Sequence, residues 1–385
     1  MRLFSHFSRR ISLLDRWLLS ELIGPLLFAL AAFTVVSLSV GVMFDLVRRI
    51  VESGLPASIA FQVMALKLPS FMVISFPMAT LFATLLAYSK LSANSELKAL
   101  RSVGVGTVRL VAPALVLSIL LSGLTLIFND VIVPQANRSA ESTLQRALGR
   151  SLATEKGKDI IYSRFGRVQD SETNTSKGRG LTQLFYARRF EDGEMIDVTV
   201  LDFSRAGFRQ MLVADRALWN ETEAKWQFIK GQILTLNTNG STTRVDFDRY
   251  LYPLSAGPLR VAQLPKDAQN MTIREAIAAE SLYLEAGNSK EARRLRVRIQ
   301  EKFTFPMACI VFGLIGSSLG ARPGSRTSRS QGFGISVLLI LGYYVLSFSF
   351  SSLGVKGTLP PILAGWLPVL ISLGSGGLLL RQASR

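Results

Sequence analysis

Six long apolar runs constrain this chain more than any other feature. They fall at about 20–44, 58–87, 107–133, 303–320, 332–354 and 360–380. Each approaches the ~20 apolar residues that cross the hydrocarbon core of a bilayer. Backbone polar groups in lipid must be satisfied within the segment, so each run is expected as a helix. Three runs precede and three follow a polar middle of about 140 residues. The 385 residues are 49% hydrophobic, with a mean hydropathy of +0.32. The expectation is an α+β membrane protein. Its N-terminal membrane half spans 1–133, its polar domain 134–271 and its C-terminal membrane half 272–385.

The formal charge of +17 is unevenly spread. Residues 134–271 carry a net +4, and the membrane portions carry +13. Basic excess at membrane ends is the positive-inside signature. Arg2, Arg9, Arg10 and Arg16 precede the first run, and Lys90, Lys98, Arg101 and Arg109 lie between the second and third. Arg322, Arg326 and Arg329 lie between the fourth and fifth, and Arg381 and Arg385 close the chain. With six spans these fall on one side. Both termini are therefore expected in the cytoplasm and the polar middle outside, in the periplasm of a bacterium. Nucleic-acid binding is the other reading of a pI near 10.4. It lacks a basic patch interleaved with aromatic residues. The first run is too long for a cleavable leader and is expected to remain as an anchor.

The middle reads as β. "EMIDVTVLDFS" (194–204), "WQFIKGQILTLN" (226–237) and "TTRVDFDRYLY" (242–252) alternate apolar and polar residues. Turn residues at Asp192-Gly193 and Asn239-Gly240 separate them. Such strands suit a sandwich, jelly roll or barrel. "SETNTSKGRG" (171–180) is expected as a polar loop. After Pro265 the pattern turns helical, and Thr272 and Glu275 are spaced as a capping box.

One histidine, His6, and one cysteine, Cys309, leave most zinc sites unbuildable. No G-x-x-x-x-G-K-[ST] loop is present, so the chain has no Walker cradle for nucleotide phosphates. Paired acids and histidines are too scarce for a hydrolytic centre. No cofactor or metal is expected, and ATP-driven work requires a separate ATPase.

Basic residues mark the opposite edge: Arg48, Arg49, Lys67, Arg298 and Lys302. They either snorkel to headgroups or form a basic rim for an anionic amphiphile. Lys67 lies within a run, where an ionisable residue is expensive. Pro69, Pro77, Pro306, Pro360, Pro361 and Pro368 interrupt the runs, and Gly313, Gly316 and Gly320 recur at near-helical spacing. Close helix packing and a moving lateral gate both account for them.

The connector "SELKALRSVGVG" (95–106) holds Glu96, the only acidic residue between Glu52 and Asp130. A helix is expected at about 89–104, with Glu96, Leu100 and Val103 on one stripe and Lys98 and Arg101 away from it. This helix either lies on the membrane or inserts into the groove of a cytosolic partner.

"LKLPSFMVISFPMATLFATLLAYSKLSANSELKALRSVG", "RVRIQEKFTFPMACIVFGLIGSSLGARPG", "SQGFGISVLLILGYYVL" and "LGVKGTLPPILAGWLP" together resemble the LptF/LptG permeases of the lipopolysaccharide exporter. The resemblance covers both membrane halves in order. It implies six membrane helices with a periplasmic β-jellyroll between the third and fourth. It implies pairing with a second such permease, identical or paralogous, and with an LptB-type cytosolic ATPase. Lipopolysaccharide would be extracted from the inner membrane and passed to LptC/LptA-type periplasmic jellyroll proteins. Glu96 matches the family's coupling glutamate, which places Glu96, Leu100, Arg101 and Val103 at the ATPase. Arg48 and Arg49 match a basic pair that contacts lipid phosphates. Where one branch of the family has a further basic residue, this chain has Val42. A membrane-anchored envelope scaffold without translocation is the alternative.

Overall fold

The structure is a computed structural model. It describes residues 12–53, 55–148, 158–170, 176–191, 193–206, 208–221, 223–236, 241–259, 268–285, 288–322 and 329–384. In chain order the helices are α1 (Leu13–Leu38), α2 (Phe44–Ser53), α3 (Ala57–Ala93), α4 (Glu96–Ser102), α5 (Thr107–Ile127) and α6 (Val133–Leu148). Six strands follow: β1 (Lys158–Asp170), β2 (Ser176–Glu191), β3 (Glu194–Ala206), β4 (Phe208–Asn220), β5 (Lys225–Leu236) and β6 (Thr242–Tyr252). The chain ends with α7 (Ile273–Glu285), α8 (Ser289–Gly320), α9 (Arg329–Lys356) and α10 (Pro361–Ser384). Two compact units result: Met1–Arg150 with Val297–Arg385, and Ser151–Arg296. Of the residues singled out above, Arg2, His6, Arg9, Arg10, Asp192, Asn239, Gly240, Pro265, Arg326 and Arg385 lie outside the described residues.

Among the described residues, six helices are long and apolar enough to cross a membrane: Leu13–Glu52, Ala57–Ala93, Thr107–Leu144, Ser289–Gly320, Gly334–Lys356 and Pro361–Ser384. Several exceed their apolar runs. The first joins α1 to α2 through a π-helical turn, Ser39–Met43, and the third joins α5 to α6 through another, Phe128–Ile132. At 1.5 Å per residue, α3 is about 55 Å long against a hydrocarbon core of about 30 Å. Pro69, Pro77, Pro306 and Pro368 lie inside continuous helices rather than interrupting them. Pro361 opens α10, where its missing N–H is no loss.

α3 and α8 form the centre of the helical unit. The glycines of α8 let the two backbones meet. A Cβ on Gly316 would lie 2.9 Å from the Leu81 carbonyl and one on Gly320 2.9 Å from the Leu85 carbonyl, both on α3, while Gly313 meets the Ser118 side chain of α5. Side chains on both sides complete the seam. Leu81, Ala308, Val311, Phe312, Ile315 and Tyr343 form one buried cluster, and Phe76, Ala79, Ala83 and Cys309 belong to another. Buried hydroxyls follow membrane rules: Thr80, Thr84 and Ser118 each donate 2.7 Å bonds to the carbonyl four residues earlier. Of the two accounts of the small residues, close packing is the one these contacts display.

The second unit is a six-stranded antiparallel sheet in sequence order, β1 to β6. Consecutive strands pair, and the last residues of β1 also reach β3 in parallel. The antiparallel sheet in the middle of the chain agrees with the expectation. Its described strands pair as a meander rather than by the crossed connections of a Greek key. It begins at Lys158, later than the 134 boundary, because the third membrane helix continues to Leu148. Residues 176–180 of the expected polar loop belong to β2; 171–175 lie outside the described residues.

Phe185, Trp226, Phe228, Met195, Val198 and Leu212 fill the core of the sheet. The inward face changes along each central strand. On β3 it moves from Met195 to Val198 and Val200; on β4 from Leu212 and Ala214 to Ala217; on β5 from Phe228 to Ile233. Asp197, with φ 53°, and Lys230, with φ 48°, sit where the exchange occurs. Registers place Asp197, Asp215 and Lys230 in one cross-strand row, and all three are exposed. A strict period of two would have kept one face inward throughout.

The helical stretch after the sheet is two helices rather than one. The Thr272–Glu275 capping box closes α7 in both directions: Glu275 N donates to Thr272 Oγ1 at 3.2 Å and Thr272 N to Glu275 Oε2 at 2.9 Å. Asn288 Oδ1 then accepts from Glu291 N at 3.2 Å and starts α8.

Candidate functional site

The connector between the second and third spans is shorter than expected. α3 runs on to Ala93, a turn follows at Asn94 and Ser95, and only Glu96–Ser102 is a separate helix. Ser95 adopts φ 62°, left-handed geometry that a non-glycine residue holds at some cost. That turn sets the direction in which α4 leaves α3.

The two faces of α4 differ from the expected stripe. Leu97, at 2% exposure, is the residue that α4 buries, in a cluster with Tyr88, Leu91, Leu110 and Ala321. Arg101 lies one turn on and also points inward: its Nη2 donates to the Ala321 carbonyl at 2.8 Å. Burial draws the Arg101 pKa below its usual value; arginine remains charged regardless. Val103 is past the helical residues and 82% exposed. Glu96 and Leu100 are half-buried, and Glu96 accepts from Asn94 Nδ2 at 2.9 Å. Glu96 therefore lies outside the buried face. The sequence signal for the buried face is the Leu97–Arg101 pair, four residues apart, which neighbours the Glu96–Leu100 stripe.

This end of the helical unit gathers the predicted cytoplasmic segments. Arg109 at the start of α5 pairs with Asp15 of α1 at 2.7 Å, and Lys90 of α3 pairs with Glu21 of α1 at 2.8 Å. Ser92 Oγ donates to the Arg322 carbonyl at 3.0 Å, and Arg322 Nη2 donates to Gln382 Oε1 at 2.6 Å. Thr107 Oγ1 donates to the Ala383 carbonyl at 3.4 Å. Ser92, Leu97, Arg322 and Gln382 were not candidates from sequence, because their partners are far away along the chain.

The five basic candidates are not gathered into one cluster. Arg48 pairs with Glu52 and Arg49 with Asp45, each at 2.9 Å and one turn away on α2. Arg298 pairs with Glu301 at 2.6 Å. Exposed pairs such as these contribute about 0–1 kcal/mol each, so they hold the guanidinium groups only loosely. Lys67 is half-buried, about three turns into α3. It precedes Lys90 by roughly 35 Å of helix, about the thickness of a hydrocarbon core. Both ammonium groups can then sit near opposite interfaces. Lys302 departs most from the expected rim. It is 6% exposed, and its Nζ donates to the Asn129 carbonyl at 3.1 Å. Asn129 lies in the π-helical turn between α5 and α6, whose widened ring leaves a carbonyl open to a donor from α8.

One further polar network lies in the sheet. Asp202 Oδ2 accepts from Tyr252 Oη in a short bond and from Gln183 Nε2 at 3.1 Å, while Oδ1 accepts from Ser204 N at 2.8 Å. β2, β3 and β6 are thereby tied together. Burial pushes the Asp202 pKa up, but the bonds from Ser204, Tyr252 and Gln183 outweigh it, and the net shift is downward. Burial, followed by Asp202 itself, raises the Tyr252 pKa. Among the described residues no group of three or more His, Cys, Asp or Glu side chains is placed to hold a metal ion.

Comparison with known proteins supplies the remaining finding. Residues 16–382 match the family described as lipopolysaccharide export system permease LptF/LptG. A curated relative, the lipopolysaccharide export system permease protein LptG of Haemophilus influenzae, is 22% identical over 377 residues. The alignment covers 94% of this chain and 96% of that protein.

Proposed function

The chain belongs to the LptF/LptG family, and from that premise we propose how it divides the work of lipopolysaccharide export among its parts. It is a multi-pass inner-membrane permease subunit, a transport component and not a catalytic enzyme. In the proposed arrangement both termini and α4 face the cytoplasm, the sheet unit lies in the periplasm, and an LptB-type ATPase docks on α4. A second LptF/LptG-type permease, identical or paralogous, completes the translocation path. Lipopolysaccharide leaves the inner membrane between them and passes to LptC/LptA-type β-domains.

The observation that carries the docking assignment is the division of α4. Leu97 and Arg101 face the bundle and Leu100 packs partly against the same cluster, which leaves Glu96 and Val103 for a partner. A carboxylate at the first turn of a helix also suits that helix's positive end. Arg48 and Arg49, exposed on α2, are proposed to meet the anionic head of the lipid. Lys67 and Arg298 extend that rim along α3 and α8, and Lys302 supports it from inside through the Asn129 carbonyl. The long exposed edge strand β6 suits pairing with a further β-domain, since an unpaired edge is a template for another strand.

Affinity purification of the complex from mild detergent tests the docking assignment. Glu96→Ala is expected to insert at the normal level but to lose most of the co-purifying ATPase. Full retention of ATPase together with normal lipopolysaccharide transport would refute it. If the intact complex binds an ATPase whose turnover lipopolysaccharide does not stimulate, the scaffold alternative gains instead.

A further inference from the structure

The last four carbonyls of a helix have no intrahelical partner and carry the negative end of its dipole. Just past the last helical residue of α8, the carbonyls of Ala321 and Arg322 meet donors from elsewhere in the chain. Arg101 Nη2 donates to the Ala321 carbonyl at 2.8 Å, and Ser92 Oγ donates to the Arg322 carbonyl at 3.0 Å. A guanidinium at this position supplies both a hydrogen bond and a complementary charge. Ala321 is itself buried at 1% exposure, in the same cluster as Leu97. Immediately before it, Gly320 approaches so closely that a Cβ there would lie 2.7 Å from Tyr88 Cβ on α3. The end of α8 is thus enclosed by the end of α3 and the inward face of α4. Arg101 Nε is buried without a hydrogen-bond partner among the described residues.

We propose that Arg101 is a positioning residue that clamps the inward face of α4 to the C-terminal end of α8, so that a push delivered to α4 moves the fourth membrane helix directly. The inference deepens the docking reading above and rests on it. α4 touches the ATPase with one face and α8 with the other, and being short and hydrogen-bonded it passes displacement across as a rigid block. From Ala321 the motion enters a helix whose other membrane end holds the α5–α6 turn through Lys302 and Asn129. About 28 Å of helix separates Lys302 from Ala321, roughly a hydrocarbon core. Through Arg322 and Gln382 the same clamp reaches the end of α10. The displacement therefore reaches the fourth and sixth spans without any contact between those helices and the motor.

The test uses the full chain with its partner permease and ATPase, reconstituted in nanodiscs containing lipopolysaccharide. Four variants are compared: Glu96→Ala, Arg101→Ala, Arg101→Lys and Ser92→Ala. Arg101→Ala is expected to keep its ATPase, while lipopolysaccharide-stimulated ATP turnover and lipid release fall about tenfold, the scale set by loss of one charge-assisted hydrogen bond. Arg101→Lys keeps the charge and one donor and is expected to recover part of the loss. Ser92→Ala removes only the neighbouring bond and is expected to shift both readouts in the same direction by a smaller factor; it also serves if Arg101→Ala does not fold. Loss of the ATPase from Arg101→Ala would overturn the proposal, because Arg101 would then be a docking residue. Parent-level stimulation and release in both Arg101→Ala and Ser92→Ala would overturn it as well. The two layers separate cleanly. If Glu96→Ala retains the ATPase, the docking reading fails; if Glu96→Ala releases it while Arg101→Ala and Ser92→Ala transport normally, only the clamp fails.

Discussion

Gly316→Ala offers a test in which two known effects oppose each other. Adding a methyl group to a mid-helix glycine normally stabilises the helix by about 1 kcal/mol. Here the new Cβ would lie 2.2 Å from Thr84 Oγ1, 2.9 Å from the Leu81 carbonyl oxygen and 3.1 Å from Leu85 N. The hydroxyl could swing aside at the cost of its bonds to the Thr80 and Leu81 carbonyls, at 2.7 and 3.1 Å. The backbone atoms of α3 cannot. Ordinary contact is restored only if α3 and α8 separate by about half an ångström along a tightly packed seam. Overpacking of this kind costs about 1–3 kcal/mol, enough to cancel or exceed the propensity gain. Gly342→Ala on α9 is the control, because nothing lies within 4 Å of its Cβ position. It should keep the whole gain. The difference between the two variants isolates the steric cost. At about 2–4 °C per kcal/mol for a chain of this size, Gly316→Ala should melt roughly 2–12 °C below Gly342→Ala. Tryptophan fluorescence of the detergent-solubilised chain during heating reads this directly. Adding Thr84→Ala to Gly316→Ala should recover only part of the loss. Equal melting of the two glycine variants would refute the close-packing argument. Complete recovery with Thr84→Ala would move the clash from backbone to side chain.

Three other expectations concern the sheet and the basic residues. The Asp202 pKa is lowered on folding below its ordinary 3.8, so its contribution to stability is present above that value and disappears as pH falls through the folded pKa. Tyr252→Phe removes one bond holding the pKa down, so the loss of unfolding midpoint between pH 7 and pH 2 should be smaller than in the parent; an unchanged pH profile counts against the network. A photo-cross-linker replacing Arg48 should capture lipid in membranes, whereas one replacing Lys302 should capture α5 or α6 of its own chain. Lys302→Met, which keeps the stem but removes the donor to Asn129, should destabilise the chain by about 1–3 kcal/mol; lipid capture from position 302 would restore it to the rim.

Much of this protein was legible from local pattern. Length and hydropathy located the six helices that, among the described residues, are long and apolar enough to cross a membrane, because crossing a bilayer demands a run of apolar residues whatever surrounds it. The capping box at Thr272 and Glu275 was legible because both partners lie within one turn. Strands β3, β5 and β6 were legible from alternation, although their face exchange at Asp197 and Lys230 was not. Reading that exchange requires knowing which neighbours each strand meets.

The amino-acid sequence by itself determined the six helices able to cross a membrane among the described residues and the β character of the middle, and it singled out the Glu96 connector as a proposed coupling point. Tertiary structure alone decided which face of that connector is free. A seven-residue helix carries too short a period to choose between stripes, and the choice fell to Leu97 and Arg101 because Ala321, some 220 positions away, completes their environment. The fate of Lys302 was decided in the same way. A lysine near a membrane edge reads as a lipid contact until the π-helical turn at Asn129 presents a carbonyl to it. Local pattern ends where a charged side chain must find a distant partner, and for Arg101 and Lys302 that partner is a carbonyl far along the chain.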